Sequence, residues 1–405
     1  IDNGKFYAHL NGTYYNSGDP ANGTGALITG ITAQAGGLFL PYLNCGTSSS
    51  RTFEWNFGSP PYSESGLYTG NGGTQTITGV GFQPDWTWLK IRSGADNHSL
   101  QDSVRGANKH IRTDSTLAET TSGTVHISSW NSDGFALGST DGQTNGNGST
   151  YASWNWKAGT SVSGNTTGSG SAKAYTGSVS TTAGFSIIRY LGNGTDDHTI
   201  PHHLGVAPRS IWTKRLDSAS AGDWTVLNMG MSGGASDFIE LNSTGAKQTN
   251  IGRWRNTAPT SSVFTLASNA TLNADDSPYI AYCFADVKGY SKVGGSYIGN
   301  GSTDGTFVYL GFKPAWVMGK QTDGAEDWFM FDNKRDAFNL TQKKLRANSN
   351  AAENDNSAKG IDLLSNGFKL RTSNGEFNAS GGNYIFMAFA EESFVSSTGV
   401  PATAR

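Results

Sequence analysis

Charged residues are scarce in this chain: they make up 15% of its 405 residues, and the formal net charge is only −3. Binding to nucleic-acid phosphates requires a concentrated basic patch, so this composition argues against nucleic acid as a partner. The sequence also has no run of about 18 apolar residues, the length that a membrane-spanning helix requires. We therefore expect neither nucleic-acid binding nor membrane insertion.

Cysteine is also rare, with Cys45 and Cys283 as the only two residues of this type. They fall in different parts of the chain, and secreted cellular proteins of this size usually carry more bridges. We expect two buried thiols. We also expect a protein that assembles inside a cell and then functions outside it. Because the sequence begins at Ile1 without a signal peptide, we also expect it to be the C-terminal portion of a longer protein.

Helical periodicity is nearly absent, whereas glycine is abundant at 54 residues. Short runs of alternating apolar and polar residues are separated by Gly, Asn, Ser and Thr, which is typical of strands joined by turns. We predict an all-β fold made of tandem β-sandwich modules of the jelly-roll or concanavalin-like type. The core strands that close three of these modules are predicted at Tyr151–Trp156, Tyr279–Phe284 and Tyr384–Phe389.

Four sequence blocks recur three times in the same order. They are Tyr-x-Gly-Asn-Gly, Gly-apolar-x-Pro-x5-Lys, Phe-x-Leu and Asn-x5-Tyr. The blocks begin, in that order, at Tyr68, Gly81, Phe135 and Asn145; at Tyr190, Gly205, Phe264 and Asn273; and at Tyr297, Gly311, Phe368 and Asn378. Repetition suits a chain that displays one module several times, and it fits poorly with a single catalytic centre.

The blocks and the turn-rich segments between them predict the domain organisation. The predicted segments are the C-terminal part of a sandwich at 1–66, a first repeat at 67–158, a Gly/Ser/Thr linker at 159–173, a second repeat at 174–294, a third repeat at 295–394 and a tail at 395–405. The linker composition indicates a flexible segment. Near the N-terminus, Asn11-Gly12 follows an alternating run and predicts a hairpin turn.

No catalytic, cofactor-binding or metal-binding constellation emerges from the sequence. The chain has no Gly-x-Ser-x-Gly, no His-Glu-x-x-His and no phosphate-cradling glycine loop ahead of a helix. His198, His202 and His203 lie within six residues of one another, but no nearby Cys or carboxylate pair apart from Asp196-Asp197 completes a site. We therefore expect a protein that is not an enzyme and that holds no metal or cofactor.

Several polar residues recur in the repeats. Lys90, Lys214 and Lys320 alternate with apolar neighbours, and solvated strand faces explain them about as well as ligand contacts do. The Asp/Arg pairs at 102/105 and 332/335 are expected to be structural ion pairs, and the second repeat has Asn228 and Met231 at those positions.

Most aromatic residues fall at alternating strand positions and are expected in the core. Those outside the repeating blocks are candidates for contacts with a sugar face, together with two flanking arginines. The ligand-binding candidates are Trp130, Arg253, Trp254, Arg255 and Tyr290. For Trp254 a core position between two outward-facing arginines is the favoured alternative.

The first part of the chain resembles a known domain. Residues 5–58 resemble the C-terminal half of a SPRY domain, a concanavalin-like β-sandwich. The resemblance rests on the motif at 6–12, on the Gly-Asp-Pro loop at 18–20 and on the motif at 53–60. It implies that this segment needs partner strands from elsewhere, since about three strands cannot close a sandwich.

The repeats resemble a module found behind SPRY-like domains in virion proteins of marine bacteriophages. The residues that carry this resemblance are the stretch 365–372 and the closing strand 384–391. It implies a virion structural protein, assembled in the host cytoplasm and extracellular after release. Within that class it implies a homotrimeric tail fibre or receptor-binding protein, with other virion proteins and a host surface glycan or receptor as partners.

Two alternative functions remain open from the sequence. One is a decoration or appendage protein of the capsid or baseplate with a purely architectural role. The other is a glycan-depolymerising tailspike, which would require two carboxylates about 5–10 Å apart across a groove.

Overall fold

The computed structural model describes residues 9–10, 13–14, 63–121, 123, 126–139 and 141–391. The chain divides into two compact units, Ile1–Ser59 and Pro60–Arg405. In the first unit, β1 (His9–Leu10) and β2 (Thr13–Tyr14) pair antiparallel, which agrees with the predicted hairpin. The other predicted strands of this unit, Cys45 and the predicted tail lie outside the described residues.

The second unit is all-β, as predicted, and contains three modules that each pair a large antiparallel sheet with a small one. The large sheet of the first module consists, in spatial order, of β3 (Ser63–Thr69), β11 (Thr150–Trp156), β5 (Trp86–Ile91) and β6 (Ser99–Asp102). Its small sheet consists of β4 (Gln75–Thr78), β10 (Gly134–Leu137) and β9 (Ile127–Asn131), and a separate pair consists of β7 (Lys109–His110) and β8 (Thr120–Thr121).

The second module has the largest sheet. Its strands are β12 (Thr160–Asn165), β14 (Ala174–Ser180), β15 (Phe185–Leu191), β22 (Pro278–Phe284), β17 (Ser210–Arg215), β18 (Thr225–Asn228), β19 (Asp237–Glu240) and β20 (Gln248–Thr249). The small sheet consists of β13 (Thr167–Gly168), β16 (His198–Pro201) and β21 (Val263–Leu266). Its helical turns are α1 (Ile251–Trp254), α2 (Ala270–Asn273) and a 3-10 turn at Gly234–Ser236.

The third module repeats this plan. Its large sheet consists of β23 (Ser291–Ile298), β31 (Asn383–Ala390), β25 (Pro314–Gln321), β26 (Phe329–Asp332), β27 (Lys343–Arg346) and β28 (Asn354–Asp355). Its small sheet consists of β24 (Phe307–Tyr309), β30 (Gly367–Leu370) and β29 (Ile361–Leu364), and α3 (Gly375–Asn378) precedes the last strand. No helix in the described ranges is long and apolar enough to cross a membrane.

The segment 159–173, predicted to be a flexible linker, forms strands. β12 pairs along its full length with β14, and β13 pairs with β16 of the small sheet. The prediction of flexibility was wrong because composition alone does not show that edges are available nearby for these residues to pair with. Strands β3 and β23 also begin before the predicted repeat boundaries at 67 and 295.

The four sequence blocks meet at one place in each module. The first and last tyrosines of the blocks stack on each other, and the Phe of Phe-x-Leu packs edge-on against the first tyrosine. The stacked pairs are Tyr68/Tyr151 at 5.0 Å, Tyr190/Tyr279 at 5.2 Å and Tyr297/Tyr384 at 4.8 Å between ring centroids. The edge-on contacts are Phe135 to Tyr68, Phe264 to Tyr190 and Phe368 to Tyr297.

The Gly-Asn-Gly turn is fixed to the Asn-x5-Tyr block by hydrogen bonds. In the third module the Asn300 backbone N–H donates to the Asn378 side-chain oxygen at 2.8 Å. A Cβ atom on Gly299 would lie 2.3 Å from the Ala379 carbonyl oxygen, and Gly301 has a φ of +67°. Both positions therefore require glycine, one for close approach and one for a left-handed backbone.

Each closing strand is buried on both faces. Along β22, Tyr279, Ala281 and Cys283 pack inside the second module's own sandwich. The alternate residues Ile280, Tyr282 and Phe284 belong to a cluster that also contains side chains from the first and third modules. Since side chains alternate across a strand, a continuous apolar run here serves two cores at once.

This second cluster, here called the central core, joins the three large sheets. Aromatic rings from different modules contact one another in it. The inter-module ring contacts include Trp86 to Phe284 at 5.8 Å, Trp156 to Trp316 at 5.6 Å and Phe284 to Phe389 at 6.3 Å. The three modules are thus one packed unit with a shared interior.

The repeated lysines are buried between modules, so a solvated strand face does not explain them. Each is 0% exposed, and each ammonium group donates to a backbone carbonyl of a neighbouring module. The bonds are Lys90 to Asn350 at 3.2 Å, Lys214 to Thr116 at 2.9 Å and Lys320 to Thr244 at 3.1 Å. The lysine of the first module thus bonds to the third module, that of the second to the first, and that of the third to the second. This order is cyclic and pseudo-threefold.

A second ring of contacts follows the same cyclic order. At equivalent positions His98, Trp224 and Trp328 each bond through a ring nitrogen to a carbonyl of the neighbouring module. The acceptors are Arg346 at 2.9 Å, Arg112 at 2.8 Å and Glu240 at 2.9 Å, respectively. Six inter-module bonds of two kinds therefore fix the relative positions of the modules.

The Asp/Arg pairs are structural, as expected, and they also join modules. Asp102 and Arg105 are both fully buried, with an N–O distance of 2.5 Å. The Tyr282 hydroxyl of the second module donates to Asp102 at 2.7 Å. Trp154 of the first module likewise donates to Asp332, the partner of Arg335, at 3.0 Å.

Between the second and third modules, the residues at these positions do not form this network, and they differ from their counterparts as a set. Asn228 and Met231 replace the Asp and Arg of the second module, and Met387 stands where the other modules have Tyr282 and Trp154. Methionine has no donor for a carboxylate, so a buried Asp at this junction would lack the cross-module donor that Asp102 and Asp332 have. All three positions therefore differ together.

Replacing Lys214 with methionine should lower the free energy of unfolding by about 2–4 kcal/mol, because the carbonyls of Thr116 and Gly222 lose their donor. Urea denaturation measures this change. Lys288→Met, at an exposed lysine, is the matched control and should stay within about 0.5 kcal/mol of the wild type. Equal effects of the two variants would contradict the structural role of Lys214.

The cost of the Lys214→Met substitution should also depend on pH. Burial lowers the pKa of Lys214 to about 8, below its ordinary value of 10.5. Between these values the unfolded chain holds more protons than the folded one, so the lysine's contribution to stability rises as pH increases. The stability difference between wild type and variant should therefore grow from pH 8 towards pH 10, and a constant difference would refute the lowered pKa.

Candidate functional site

Exposed apolar side chains gather at one edge of the third module. Ile298 is 63% exposed, Phe307 43% and Tyr309 62%. Phe307 and Tyr309 lie on the same face of β24, and the Thr306 hydroxyl donates to the Ile298 carbonyl at 2.8 Å, which places β24 beside the end of β23. These three residues form what we call the edge surface.

The edge surface lies on two strands that end their sheets. Within the described part of the chain, β23 pairs only with β31, and β24 pairs only with β30. Neither strand has a further strand on its outer side there, although the Ile298 carbonyl of β23 accepts from Thr306 and its Gly294 carbonyl accepts from Arg209 of the second module. A strand edge beside exposed aromatic rings combines main-chain hydrogen bonding with apolar contacts.

The same edges are covered in the second module. There β14 pairs with β15, the counterpart of β23, and β13 pairs with β16, the counterpart of β24. The hydroxyls of Thr167 and Thr199 also lie 2.7 Å apart across this pairing. The segment predicted to be a linker is thus the element that covers these edges.

The first module has threonines at the positions of the edge surface. Strand registers align Ile298 with Thr69, Phe307 with Thr76 and Tyr309 with Thr78. The apolar surface is therefore specific to the third module. Comparing the three repeats residue by residue could have revealed it, because Ile298 follows the Tyr of the first sequence block directly.

Charged side chains border the edge surface. Lys369, opposite Phe307 on β30, forms an ion pair with Asp304 at 2.7 Å. Arg371 lies 3.6 Å from the same carboxylate, and the contact with Lys369 lowers the pKa of Asp304. An apolar centre with a charged border is the usual anatomy of a binding interface.

The structure contradicts the ligand-binding prediction for two aromatic residues. Trp254 is 1% exposed and packs against Phe264 at 6.3 Å, so it is a core residue of the second module. Tyr290 is 2% exposed and lies 5.7 Å from Phe389 in the central core. Neither ring can offer a face to a ligand.

The other three candidates do not form one site. Arg253 stacks its guanidinium 4.7 Å above the Phe238 ring and bonds to the side chains of Asn269 and Thr271, and burial lowers its pKa. Arg255 forms ion pairs with Asp196 at 3.3 Å and Asp197 at 3.0 Å. Trp130 lies on β9 of the first module, half-buried against that module's own core.

The three clustered histidines have separate structural partners. His198 bonds to Asn273 and Thr166, His202 to the Thr260 carbonyl and His203 to the Tyr175 hydroxyl. Burial lowers the pKa of His202 to about 4. In the described ranges no group of three or more His, Cys, Asp or Glu side chains is placed to hold a metal ion.

Comparison with protein families identifies the second unit. The family described as a domain of unknown function (DUF7483) matches residues 59–393, and the chain belongs to it. This match spans all three modules, in agreement with their shared core. Neither a curated protein nor a solved structure matches the chain.

Copying the first module's residues onto the edge surface should leave the fold intact. The variant Ile298→Thr/Phe307→Thr/Tyr309→Thr changes exposed side chains to residues already used at equivalent strand positions. We expect the free energy of unfolding to change by no more than about 1 kcal/mol, measured by urea denaturation. A loss of several kcal/mol would mean that these side chains belong to the module's core.

Proposed function

We propose that this member of the DUF7483 family is a structural protein of a bacteriophage virion, and within that class a tail-fibre or receptor-binding protein. The observation that carries the proposal is the edge surface, where three exposed apolar side chains of the third module lie together. A monomeric surface rarely holds apolar groups together unless they bind something. The resemblance of the repeats to phage virion modules supports the same class.

The scaffold suits adsorption because it is rigid. Buried lysines, an Asp/Arg network and the central core hold the three modules in fixed positions. A preorganised surface loses little conformational entropy when it binds, so even a small contact retains useful affinity. In a homotrimeric fibre, as we propose for this protein, three copies of the edge surface would act together.

An architectural role is the second candidate function. The open edges of β23 and β24 favour it, because a strand from a neighbouring virion protein could extend either sheet. This role would place the edge surface inside the particle, whereas receptor binding requires the edge surface to be free.

Localisation in the intact virion distinguishes the two roles. Cryo-electron microscopy of particles carrying this chain should place it at the tip of a tail fibre, with the third module's edge uncovered. Density spread over the capsid or baseplate, with another protein on β23 and β24, would refute receptor binding and support the architectural role.

Competition for infection tests the edge surface directly. Free protein should block adsorption of the phage to its host, and the triple threonine variant should lose at least about tenfold in blocking potency, equivalent to about 1.4 kcal/mol. Val206→Thr, at an exposed apolar residue of the second module, is the control and should block as the wild type does. Equal potency of all three proteins would refute a role for the edge surface in adsorption.

A further inference from the structure

Strand β24 directs main-chain groups away from its own sheet at the edge surface. The Leu310 N–H donates to the Asn366 carbonyl at 2.9 Å, on the side that faces β30. Because successive residues of a strand point their N–H and C=O groups to opposite sides, those of Phe307 and Tyr309 face outward. Among the described residues these groups have one partner, the Lys292 ammonium group at 3.5 Å from the Tyr309 carbonyl. The Phe307 N–H and C=O and the Tyr309 N–H therefore remain available to a further strand.

The equivalent strand of the second module already carries a further strand on this side. On the registers of β24 with β30 and of β16 with β21, Phe307 corresponds to Thr199. Thr199 pairs antiparallel with Thr167 of β13. Two residues from this pair, the Ser169 N–H donates to the Asp197 carbonyl at 3.0 Å. The module fold therefore accepts an added antiparallel strand at this position, and the third module has none within its described residues.

The second module also shows that the outward N–H at position 309 is not needed by the fold. On the same registers Pro201 occupies the position of Tyr309. Proline has no N–H group, and within sheets it is confined to places where that group would face away from the ladder. A proline at position 309 would therefore remove a donor to an added strand and no bond that holds β24 in its sheet.

The side chains of the edge surface would lie beside those of an added strand. Phe307 is 43% exposed and Tyr309 62%, whereas Val308 between them is 6% exposed and faces the core. Directly paired residues have their side chains on the same face, as the hydroxyls of Thr167 and Thr199 show at 2.7 Å. Aromatic rings in place of Thr199 favour apolar or β-branched side chains opposite them.

The charged border favours a partner segment with few charges. Lys369 lies 2.7 Å from the Asp304 carboxylate, and Arg371 lies 3.6 Å from it. Since the two signs of charge are already paired beside the rings, neither attracts a strongly charged segment.

We propose that β24 binds an extended segment of a partner protein by antiparallel strand addition, with main-chain bonds at Phe307 and Tyr309 and apolar contacts to their rings. Main-chain bonds supply affinity in this mode, and alternate side chains supply specificity. A glycan could contact the rings, but alternating donors and acceptors along a strand edge match another main chain. Because β24 has three residues, each contact is short, and several copies acting together would supply the strength.

The identity of the partner as a host surface protein rests on the proposed function. Strand addition itself does not, because a neighbouring virion protein could supply the segment instead. The experiments below separate these two possibilities.

Two substitutions of Tyr309 distinguish the ring from the main chain. Tyr309→Thr copies the first module and keeps the N–H group, whereas Tyr309→Pro copies the second module and removes it. Both variants lose the ring, so strand addition predicts that the proline variant blocks infection at least about tenfold less potently than the threonine variant. Equal potency of the two variants would overturn main-chain pairing and leave the proposed function standing.

Thr78→Pro, at the equivalent position of the first module, is the matched control for the introduced proline. It should block infection as the wild type does, and both proline variants should keep a cooperative urea transition. If Tyr309→Pro does not fold, amide exchange in the wild-type chain decides instead.

The chemical class of the partner is tested on host cells. Protease-treated cells should no longer bind the free protein, because the segment that pairs with β24 has been cut. Periodate-treated cells, whose glycans are oxidised, should bind it as untreated cells do. Binding that survives the protease, or that periodate abolishes, would overturn a protein segment as the occupant of this edge.

Hydrogen exchange of the full chain, followed by mass spectrometry, locates the contact. Detergent-solubilised host envelope proteins should slow exchange at the Phe307 and Tyr309 amides, because an added strand bonds to both. Exchange at Thr76 and Thr78, the counterparts in the first module, should not change and serves as the control.

The same measurement on intact virions separates the two proposals. Slow exchange at Phe307 and Tyr309 already present in the virion would overturn receptor binding at this edge and leave strand addition standing. If exchange is slowed neither in the virion nor by host envelope proteins, strand addition is overturned, and blocking of infection by the free protein would still support the proposed function.

Discussion

The burial of each closing strand on both of its faces is the constraint on which the rest of this structure depends. Trp154 and Trp156 in the first module, and Tyr282 and Phe284 in the second, point away from their own sandwich and into the central core. A module separated from the others would expose this aromatic face to water, at a cost of about 25 cal/mol for each square ångström. The three modules therefore fold as one cooperative unit, and the span of the family match has the same extent.

Three sheets packed together also bring polar side chains into the shared interior, and each buried polar group requires a hydrogen-bond partner there. The repeated lysines and the Asp/Arg pairs satisfy this requirement by bonding across module junctions. Such groups contribute little net stability, because desolvation opposes their attraction, but each bond exists in only one arrangement of the modules. We infer that these polar contacts between modules select the pseudo-threefold arrangement, while the central core supplies most of the stabilisation. The junction with Met231 and Met387 is consistent with this division, since both methionines are buried in the central core.

The strands and the repeats could be predicted from the sequence, because alternation and turn residues are local signals. Which face of a strand meets which partner could not be predicted in the same way. A lysine such as Lys214 between apolar neighbours has the same local pattern whether the next layer is water or another module. The segment at 159–173 was misjudged for the same reason, because only a nearby free edge turns a Gly/Ser/Thr run into a strand. The aromatic candidates Trp254 and Tyr290 are buried by contacts with residues far away in the sequence.

Fusing three copies into one chain permits differences that a symmetric trimer would forbid. In a homotrimer a substitution appears at all three equivalent positions, so an apolar surface or a cavity would be created three times. Here Phe307 faces outward in one module while its counterpart Thr76 remains polar, and Ser63 opens a space that its counterpart Phe185 fills in the next module. A substitution that destabilises one module then leaves the equivalent contacts of the other two modules, and the shared core that joins them, in place. This tolerance is a physical reason why the sequence blocks that build the scaffold are repeated closely, while the surfaces between them are not.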